Sequence, residues 1–395
     1  MAKTLRVGFV GAGGIARGAH LPGFQALNDV QVVAAADIAP PALEAFASAA
    51  SLPPETCFSD YRKMLDRVDL DIVVVCTPNS YHCVPTVDAF AKGCHVLVEK
   101  PVAISADQCR EMIAAGHMAE KLLMVGQTVR FTKNAACLKY WVDRGEIGEP
   151  YWGRAQALRV RGVPGAKGFV SGAMSAGGPI YDIGVHMLDC ALWLMGFPEP
   201  VSVSAGVYRK LTLKKTPLVP FTGKDYTVPD DAGFGFVRFA NGATLGLEAS
   251  WTLNLLAGVH NVVVCGEKGG VQLEPPGLIR ERDGKLEKIT SETFPYPERQ
   301  GHYEEVRQFV EAIRKGKPSP VPGEQALITQ RILDAMHKSA LSRVRFAETY
   351  ATPASCRYGR APCCARNAAS QTGTSTTPAS SEAPFTGSPV LTSGH

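Results

Sequence analysis

The sequence predicts an α/β chain: an N-terminal doubly wound parallel sheet, then a C-terminal α+β domain on a large, mostly antiparallel open sheet. Three observations predict it. Strand and helix signals alternate over the first 125 residues, as in a parallel α/β sheet. A glycine turn follows the first strand directly. Beyond about residue 126 the texture changes to runs of strands with flanking helices. With 395 residues, each domain can have its own core. The expected boundaries are 1–125, 126–345 and a tail over 351–395.

The first half is read in order as follows. Leu5 to Val10 is a strand and Ile15 to Leu27 a helix; Val30 to Ala36 is a strand and Pro41 to Ala50 a helix. Ile72 to Cys76 reads as a buried strand, Tyr81 to Lys92 as a helix and His95 to Val98 as a strand. Ser105 to Glu120 is helical, and Leu122 to Val125 closes the series. In the second half a helix near Asn134 to Arg144 leads into a strand from Tyr151 to Val160. Phe234 to Trp251 is a hairpin turning at Asn241-Gly242, a strong local turn signal. Val259 to Cys265 and Gly270 to Leu273 form another. Helices from His302 to Lys315 and from Glu324 to Leu341 follow. Arg209 to Lys224, with Lys210, Lys214 and Lys215 near prolines, reads as an exposed loop.

From about Ala351 the chain turns to Ser, Thr, Ala, Pro and Gly with no hydrophobic period. Such a segment buries too little apolar surface to offset its ordering entropy, so a disordered tail is expected.

Apolar residues are 45% and charged residues 20% of the chain, a globular balance. The net charge of +4 is spread without a block of like charges, which argues against nucleic acid or an anionic membrane as partner. The longest apolar runs are strand length, far short of a membrane span. The start, MAKTLRVGFVGAGG, has no apolar signal region with a cleavage site, so the cytoplasm is the expected location. Of eleven cysteines, eight lie in the body, several in apolar segments, and three (Cys356, Cys363, Cys364) lie in the tail. No C-x-x-C pair occurs, so the body thiols are expected to be reduced and structural, and no metal site is expected.

Gly11-Ala-Gly13-Gly14-Ile15-Ala16 is a G-x-G-x-x-A turn opening a helix. Gly11 permits the tight turn, Gly13 lets backbone approach a pyrophosphate, and Ala16 lets helix and strand pack closely. Asp37 ends the second strand. A carboxylate there accepts hydrogen bonds from an adenosine ribose and repels a 2′-phosphate, and Ile38-Ala39-Pro40 offers no Arg to hold one. NAD(H) is therefore expected over NADP(H); an ordinary strand-end turn residue is the other reading of Asp37. Thr77-Pro78-Asn79 and Glu99-Lys100-Pro101 lie where the third and fourth strands read above should end, the ligand-binding edge. Pro101 favours extended backbone at Lys100, which could hold the ammonium at that edge; a surface lysine is the bland alternative.

The stretch GGPIYDIGVH places Asp182 and His186 four residues apart in an expected helix, on one face. Two glycines and a proline before it suit a chain turning tightly into a helix start.

Together these four motifs, at 11–16, 77–79, 99–101 and 177–186, resemble the Gfo/Idh/MocA family, the glucose-fructose oxidoreductase and inositol dehydrogenase-like enzymes. The resemblance covers about residues 4–342. It implies a Rossmann domain, a nicotinamide cofactor, and a sugar, polyol or related substrate. A homo-oligomer, dimer or tetramer, formed through the C-terminal sheet is also implied. By position, Lys100, Asp182 and His186 become the catalytic set: His186 as general base, Lys100 as donor to the substrate oxygen, and Asp182 orienting either substrate or imidazole. The cofactor side comprises Gly11, Gly13, Gly14, Ile15, Asp37, Thr77, Pro78, Asn79, His82, Glu99, Lys100 and Gln127. Arg130 and Arg159 join Lys100, Asp182 and His186 around the substrate. For Arg159 and Arg161 a solvated strand face is an equal alternative.

Helix capping or packing is the expected role of His20, with His82 also near a helix start; His260 and His302 are minor candidates for pocket contact. The same Lys–Asp–His set could serve an NAD-dependent glycoside hydrolase acting by transient oxidation. A non-catalytic nucleotide-sensing regulator is the third reading.

Overall fold

Every strand of the first sheet is parallel, because each is followed by a helix that returns the chain to the same edge. The computed structural model describes residues 3–342 other than 214, 215, 220 and 222, together with 346 and 347. The tail expected over 351–395, its three cysteines, Lys214 and Lys215 lie outside the described residues. The strands are β1 (Leu5–Val10), β2 (Val30–Ala36), β3 (Cys57–Phe58), β4 (Ile72–Val75), β5 (His95–Glu99) and β6 (Leu123–Gly126). They stand in the order β3-β2-β1-β4-β5-β6. Strands are added outward in opposite directions from β1 and β4, so the crevice at the carboxyl ends of these two parallel strands is where a ligand sits in such a sheet.

The intervening helices are α1 (Leu21–Gln25), α2 (Pro40–Ala50), α3 (Tyr61–Arg67), α4 (Cys83–Ala91) and α5 (Ala106–Met118). The single helix expected from Ile15 to Leu27 is a π-helical segment, Ala16–His20, running into α1. β3 and α3 went unread, since two residues of strand carry no periodicity.

The second sheet has nine strands: β7 (Pro150–Leu158), β8 (Pro200–Tyr208), β9 (Ala232–Phe239), β10 (Thr244–Ser250), β11 (Val259–Gly266), β12 (Gly269–Gln272), β13 (Gly277–Arg282), β14 (Lys285–Thr290) and β15 (Phe346–Ala347). Their order is β14-β13-β12-β11-β7-β10-β9-β8-β15. Only β7 and β10 pair in parallel; the other pairings are antiparallel, as expected. Its helices are α6 (Lys133–Asp143), α7 (Lys167–Val170), α8 (Gly172–Ser175) and α9 (Val185–Leu194).

Two helices return to the first domain: α10 (His302–Lys315) and α11 (Gly323–Ser342). Val306, Phe309 and Val310 of α10 and Ala326 of α11 complete the apolar core of the parallel sheet. Ile332, Leu333 and Met336, farther along α11, pack in the core of the second sheet. The two cores thus interlock through α11. Among the described residues, no helix is long and apolar enough to cross a membrane.

Candidate active site

The glycine turn is dictated by backbone crowding. Gly11 has φ +91°, and a Cβ there would lie 2.6 Å from the carbonyl carbon of Cys76, where the chain leaves β4. Only glycine lets the two strand exits meet so closely. Around Gly13 and Gly14, by contrast, an added Cβ would meet nothing within 4 Å. That open cradle has room for a pyrophosphate against the backbone. Ile15 beside it is 41% exposed. Asp37 clasps the turn: Oδ2 accepts the Ala12 N–H at 2.7 Å and Oδ1 the Ala39 N–H at 2.8 Å. Each oxygen retains acceptor capacity for a ribose hydroxyl, so these residues fit an NAD-type cofactor.

Next along the edge, Thr77 Oγ1 donates to the Tyr81 carbonyl, and Asn79 Nδ2 donates to the Ser175 carbonyl at 3.0 Å. Pro78 starts a short 3₁₀ turn over Asn79–Tyr81. His82, expected on the cofactor side, turns inward instead. Its ring is fully buried, with Nδ1 2.9 Å from the Pro101 carbonyl and Nε2 2.8 Å from that of Thr77. It is a strut between the two ligand-edge turns. Gln127 is buried, and its Oε1 has no partner among the described residues.

Lys100 leaves the end of β5 and reaches into the second domain. Its Nζ donates to the Asp182 carbonyl at 2.8 Å and to Asp182 Oδ1 at 3.1 Å. Trp251 Nε1 donates to Asp182 Oδ2 at 2.9 Å. Burial alone would raise the Asp182 pKa, but the Lys100 charge and the hydrogen bonds from Lys100 and Trp251 outweigh it and hold the group below its usual value. The carboxylate is thus ionised and fully engaged. Asp182 lies in a π-helical turn, Ile180–Gly184, and His186 in the first turn of α9. A π turn in front of a helix is frequent at functional sites. No hydrogen bond among the described residues joins the two, so Asp182 orients Lys100 rather than the imidazole.

The signature's glycines have a local cause. Gly178 N–H donates to Asp230 Oδ1 at 2.9 Å, and a Cβ there would fall 2.3 Å from the Asp230 carbonyl oxygen. The π turn is therefore pinned to the start of β9. His186 is partly exposed, and its Nδ1 has no partner among the described residues. Burial, then the nearby Lys100 charge, pushes its pKa down to about 3, which keeps the imidazole neutral at ordinary pH.

Arg130, expected around the substrate, is instead held in a buried ion pair. It is buried, with Nε and Nη2 each 2.7 Å from the carboxylate of Asp189 and Nη1 2.6 Å from Gln325 Oε1. It clamps α9 to α11. Arg159 follows β7 on the parity of the buried Ala155 and Ala157; its backbone N–H donates to the Ser250 carbonyl and its Nη1 to that of Gly162. Arg161 bonds the carbonyls of Val160 and Leu253 and the side chain of Asn254, tying two loops together. His260 is exposed on β11.

Sequence reasoning missed two features. One is Trp251, whose indole holds Asp182. The other is a cluster behind Lys100: His20 Nε2 lies 2.6 Å from Glu99 Oε1, and His302 Nδ1 lies 2.9 Å from Glu305 Oε2. Donor atoms of His20, Glu99 and His302 all fall within 4.8 Å of one another. The 2.6 Å separation is a hydrogen bond, shorter than the roughly 3.3 Å between two ligands of one tetrahedral metal. No local signal in the sequence marks either feature.

Comparison with known proteins covers both domains. The oxidoreductase family's NAD-binding Rossmann fold matches residues 5–127, and its C-terminal alpha/beta domain matches residues 139–346. The chain is 34% identical over 347 residues to D-glucoside 3-dehydrogenase of Escherichia coli (strain K12), spanning 87% of this chain and 97% of that one. It is 26% identical to inositol 2-dehydrogenase of Rhizobium meliloti (strain 1021), over 86% of this chain and 98% of that one. Among solved structures, levoglucosan dehydrogenase in complex with NADH and levoglucosan superposes with a TM-score of 0.74 at 22% identity, covering 87% of this chain and 99% of that chain. Both halves point the same way: the chain belongs to the Gfo/Idh/MocA oxidoreductase family, with an NAD-binding Rossmann domain and a C-terminal α/β domain.

Proposed function

We propose that this NAD-binding oxidoreductase oxidises a secondary hydroxyl of a sugar or glycoside, with Lys100 and His186 as the groups that touch the reacting oxygen. The observation that carries this reading is the Lys100–Asp182 pair, set beside a neutral His186 at the carboxyl edge of the parallel sheet. When bound there, the nicotinamide supplies the hydride acceptor. Lys100 donates a hydrogen bond to the substrate oxygen and stabilises the charge that develops on it. Asp182 and Trp251 fix where that ammonium points. His186 accepts the hydroxyl proton. Burial and the Lys100 charge both disfavour an imidazolium, so His186 passes the proton on rather than keeping it.

The relative with the highest identity reported above acts on a D-glucoside, which supports a pyranoside as substrate class. Asp37, clasping the glycine turn with no Arg in Ile38-Ala39-Pro40, supports NAD over NADP.

The test is NAD+ reduction by the purified protein across glucosides, free sugars, uronates and inositols, alongside Lys100→Met and His186→Ala. The expected result is NADH formation with a subset of pyranosides, lowered about 10²–10⁴-fold in His186→Ala with cofactor affinity kept. Cofactor binding without reduction by any of the panel overturns the reading. Aryl release from a nitrophenyl glycoside without net NADH would replace it with transient-oxidation hydrolysis.

A further inference from the structure

Lys100 is held at both ends. Asp182 fixes its ammonium from the second domain, while its backbone is fixed from within the first. Glu99, the last residue of β5, turns its carboxylate back along the chain, and Oε2 accepts the Lys100 N–H at 3.1 Å. Oε1 lies 2.6 Å from Nε2 of His20. Burial raises the Glu99 pKa, but the hydrogen-bonded His20 and the Lys100 charge outweigh it and bring the group down to about 2. A carboxylate only accepts, so His20 Nε2 is the donor. Gly126, opposite Glu99 in the β5–β6 ladder, makes the room: a Cβ there would stand 3.3 Å from Oε1.

His20 is itself held firmly. It ends the π-helical segment Ala16–His20, which runs on from the glycine turn, and the Arg17 N–H donates to the Gly13 carbonyl at 3.0 Å. Turn and segment are therefore one hydrogen-bonded unit. The His20 ring is fully buried, and the His302 ring packs against it edge to face with centroids 5.0 Å apart. His302 is fixed in turn through Nδ1, 2.9 Å from Glu305 Oε2 and 3.1 Å from Thr128 Oγ1. A donor locked by packing on every side holds its acceptor in one place.

We propose that His20 and Glu99 are positioning residues for Lys100, tying the root of its side chain to the segment that carries the cofactor turn. This rests on the dehydrogenase reading above. A lysine stem is flexible, so a contact at its tip leaves the root free to shift while the tip stays bonded. With Glu99 at the root and Asp182 at the tip, the direction of the N–H left for the substrate oxygen is set as well. The glycine turn and the ammonium then share one frame, so the hydride acceptor and the donor to the reacting oxygen are placed relative to each other. Neither His20 nor Glu99 touches the reacting atoms, and the pair moves no proton in the reaction.

The test compares His20→Phe, which keeps a ring against His302 but has no donor, with His20→Gln, whose amide N–H can stand in for Nε2–H. The expected kcat of His20→Phe is lower by about 10²-fold, the cost of misplacing a reacting group by roughly 1 Å, with the KM for sugar and the affinity for NAD+ little changed. His20→Gln recovers most of that kcat. Packing alone would give the opposite order, an active Phe variant and an impaired Gln variant, and overturns the proposal. Equal losses in kcat and NAD+ affinity assign His20 to the cofactor turn and overturn it too. Gly126→Ala, which leaves His20 intact and crowds Glu99 Oε1 from the β6 side, is expected to lower kcat in the same way and serves where His20→Phe does not fold. Labelling by trinitrobenzenesulfonate, read at Lys100 by peptide mass spectrometry, supplies an arm independent of turnover. Lys100 reacts several-fold faster in His20→Phe or Gly126→Ala than in the wild type, and at nearly the wild-type rate in His20→Gln. If the wild type reduces no NAD+, the dehydrogenase reading fails by itself. Equal Lys100 labelling in the wild type and the folded variants overturns the positioning role in either case.

Discussion

Lys100 Nζ is hydrogen-bonded to Asp182 twice, to the carbonyl oxygen at 2.8 Å and to Oδ1 at 3.1 Å. One residue thereby fixes the ammonium in both distance and direction, and it does so from the other domain. Replacing Asp182 by Asn keeps the carbonyl contact and the size of the side chain but removes the charge. The expected outcome is a kcat lower by about 10²-fold with NAD+ affinity unchanged, read by steady-state kinetics and cofactor titration. Equal losses in kcat and NAD+ binding would mean that Asp182 supports the cofactor instead.

Trp251 completes the clamp from β10's end. Its ring is fully buried and packs edge-on against Tyr226 at 6.2 Å, so Trp251→Phe preserves most of the packing and removes the N–H. Asp182 Oδ2 is then a buried acceptor without its donor, a loss of about 1–3 kcal/mol in stability. Urea unfolding measures that cost, and kcat falls with it as Lys100 loses its fixed partner. A variant as stable and as active as the wild type would show that the Lys100 contacts alone hold the carboxylate.

Asp37 is the residue to change for cofactor choice. It already bonds the backbone of Ala12 and Ala39, so Asp37→Ser shortens the side chain and removes the charge while keeping an acceptor. The ratio of kcat/KM for NAD+ to that for NADP+ should fall about 10–100-fold, the equivalent of a charge-assisted hydrogen bond of about 1.5–3 kcal/mol. An unchanged ratio would assign Asp37 to the turn alone.

Acid sensitivity is written into His95. Nδ1 accepts the Leu122 N–H at 3.0 Å, which requires a free lone pair. Burial, then the Lys121 charge, lowers its pKa from 6.5 to about 4. Between those values the unfolded chain binds a proton that the folded state refuses. Stability from this group is therefore full above pH 6.5 and declines as the pH falls toward 4. In His95→Asn, an acceptor without a titration, urea midpoints should fall less over that window. Parallel curves for the two proteins would remove His95 from the account.

Much of the site was legible because its parts sit in contiguous motifs whose chemistry is local. The glycine turn, Asp37 and Lys100 each stand at a strand end, and alternating strand and helix signals locate strand ends. Asp182 and His186 were found by spacing, but the role of Asp182 depends on Lys100 and Trp251, brought from 82 and 69 residues away. The His20–Glu99 contact spans 79 residues and leaves no periodic trace. β13 and β14 went unread for another reason: their residues are charged and mostly outward-facing at the sheet edge, so apolar alternation is missing. The Asp283-Gly284 turn between them, both residues at positive φ, was the available signal.

Arg130 gives the sharpest separation between a structural and a substrate role. Expected among the substrate contacts, it instead makes a bidentate pair with Asp189, with side-chain exposures of 2% and 1%. Its guanidinium also lies 5.0 Å from the Phe197 ring centroid. Burial raises the Asp189 pKa despite the Arg130 charge, which shows how much the pair depends on both members being present. Arg130→Met leaves a buried carboxylate facing an apolar chain, and breaking such a pair costs about 3–5 kcal/mol. The folded protein should unfold at markedly lower urea concentration while the KM for sugar stays near the wild-type value. Asp189→Asn in the same background should return part of the stability, since it removes the uncompensated charge. A rise in KM for sugar without loss of stability would restore Arg130 to the substrate pocket.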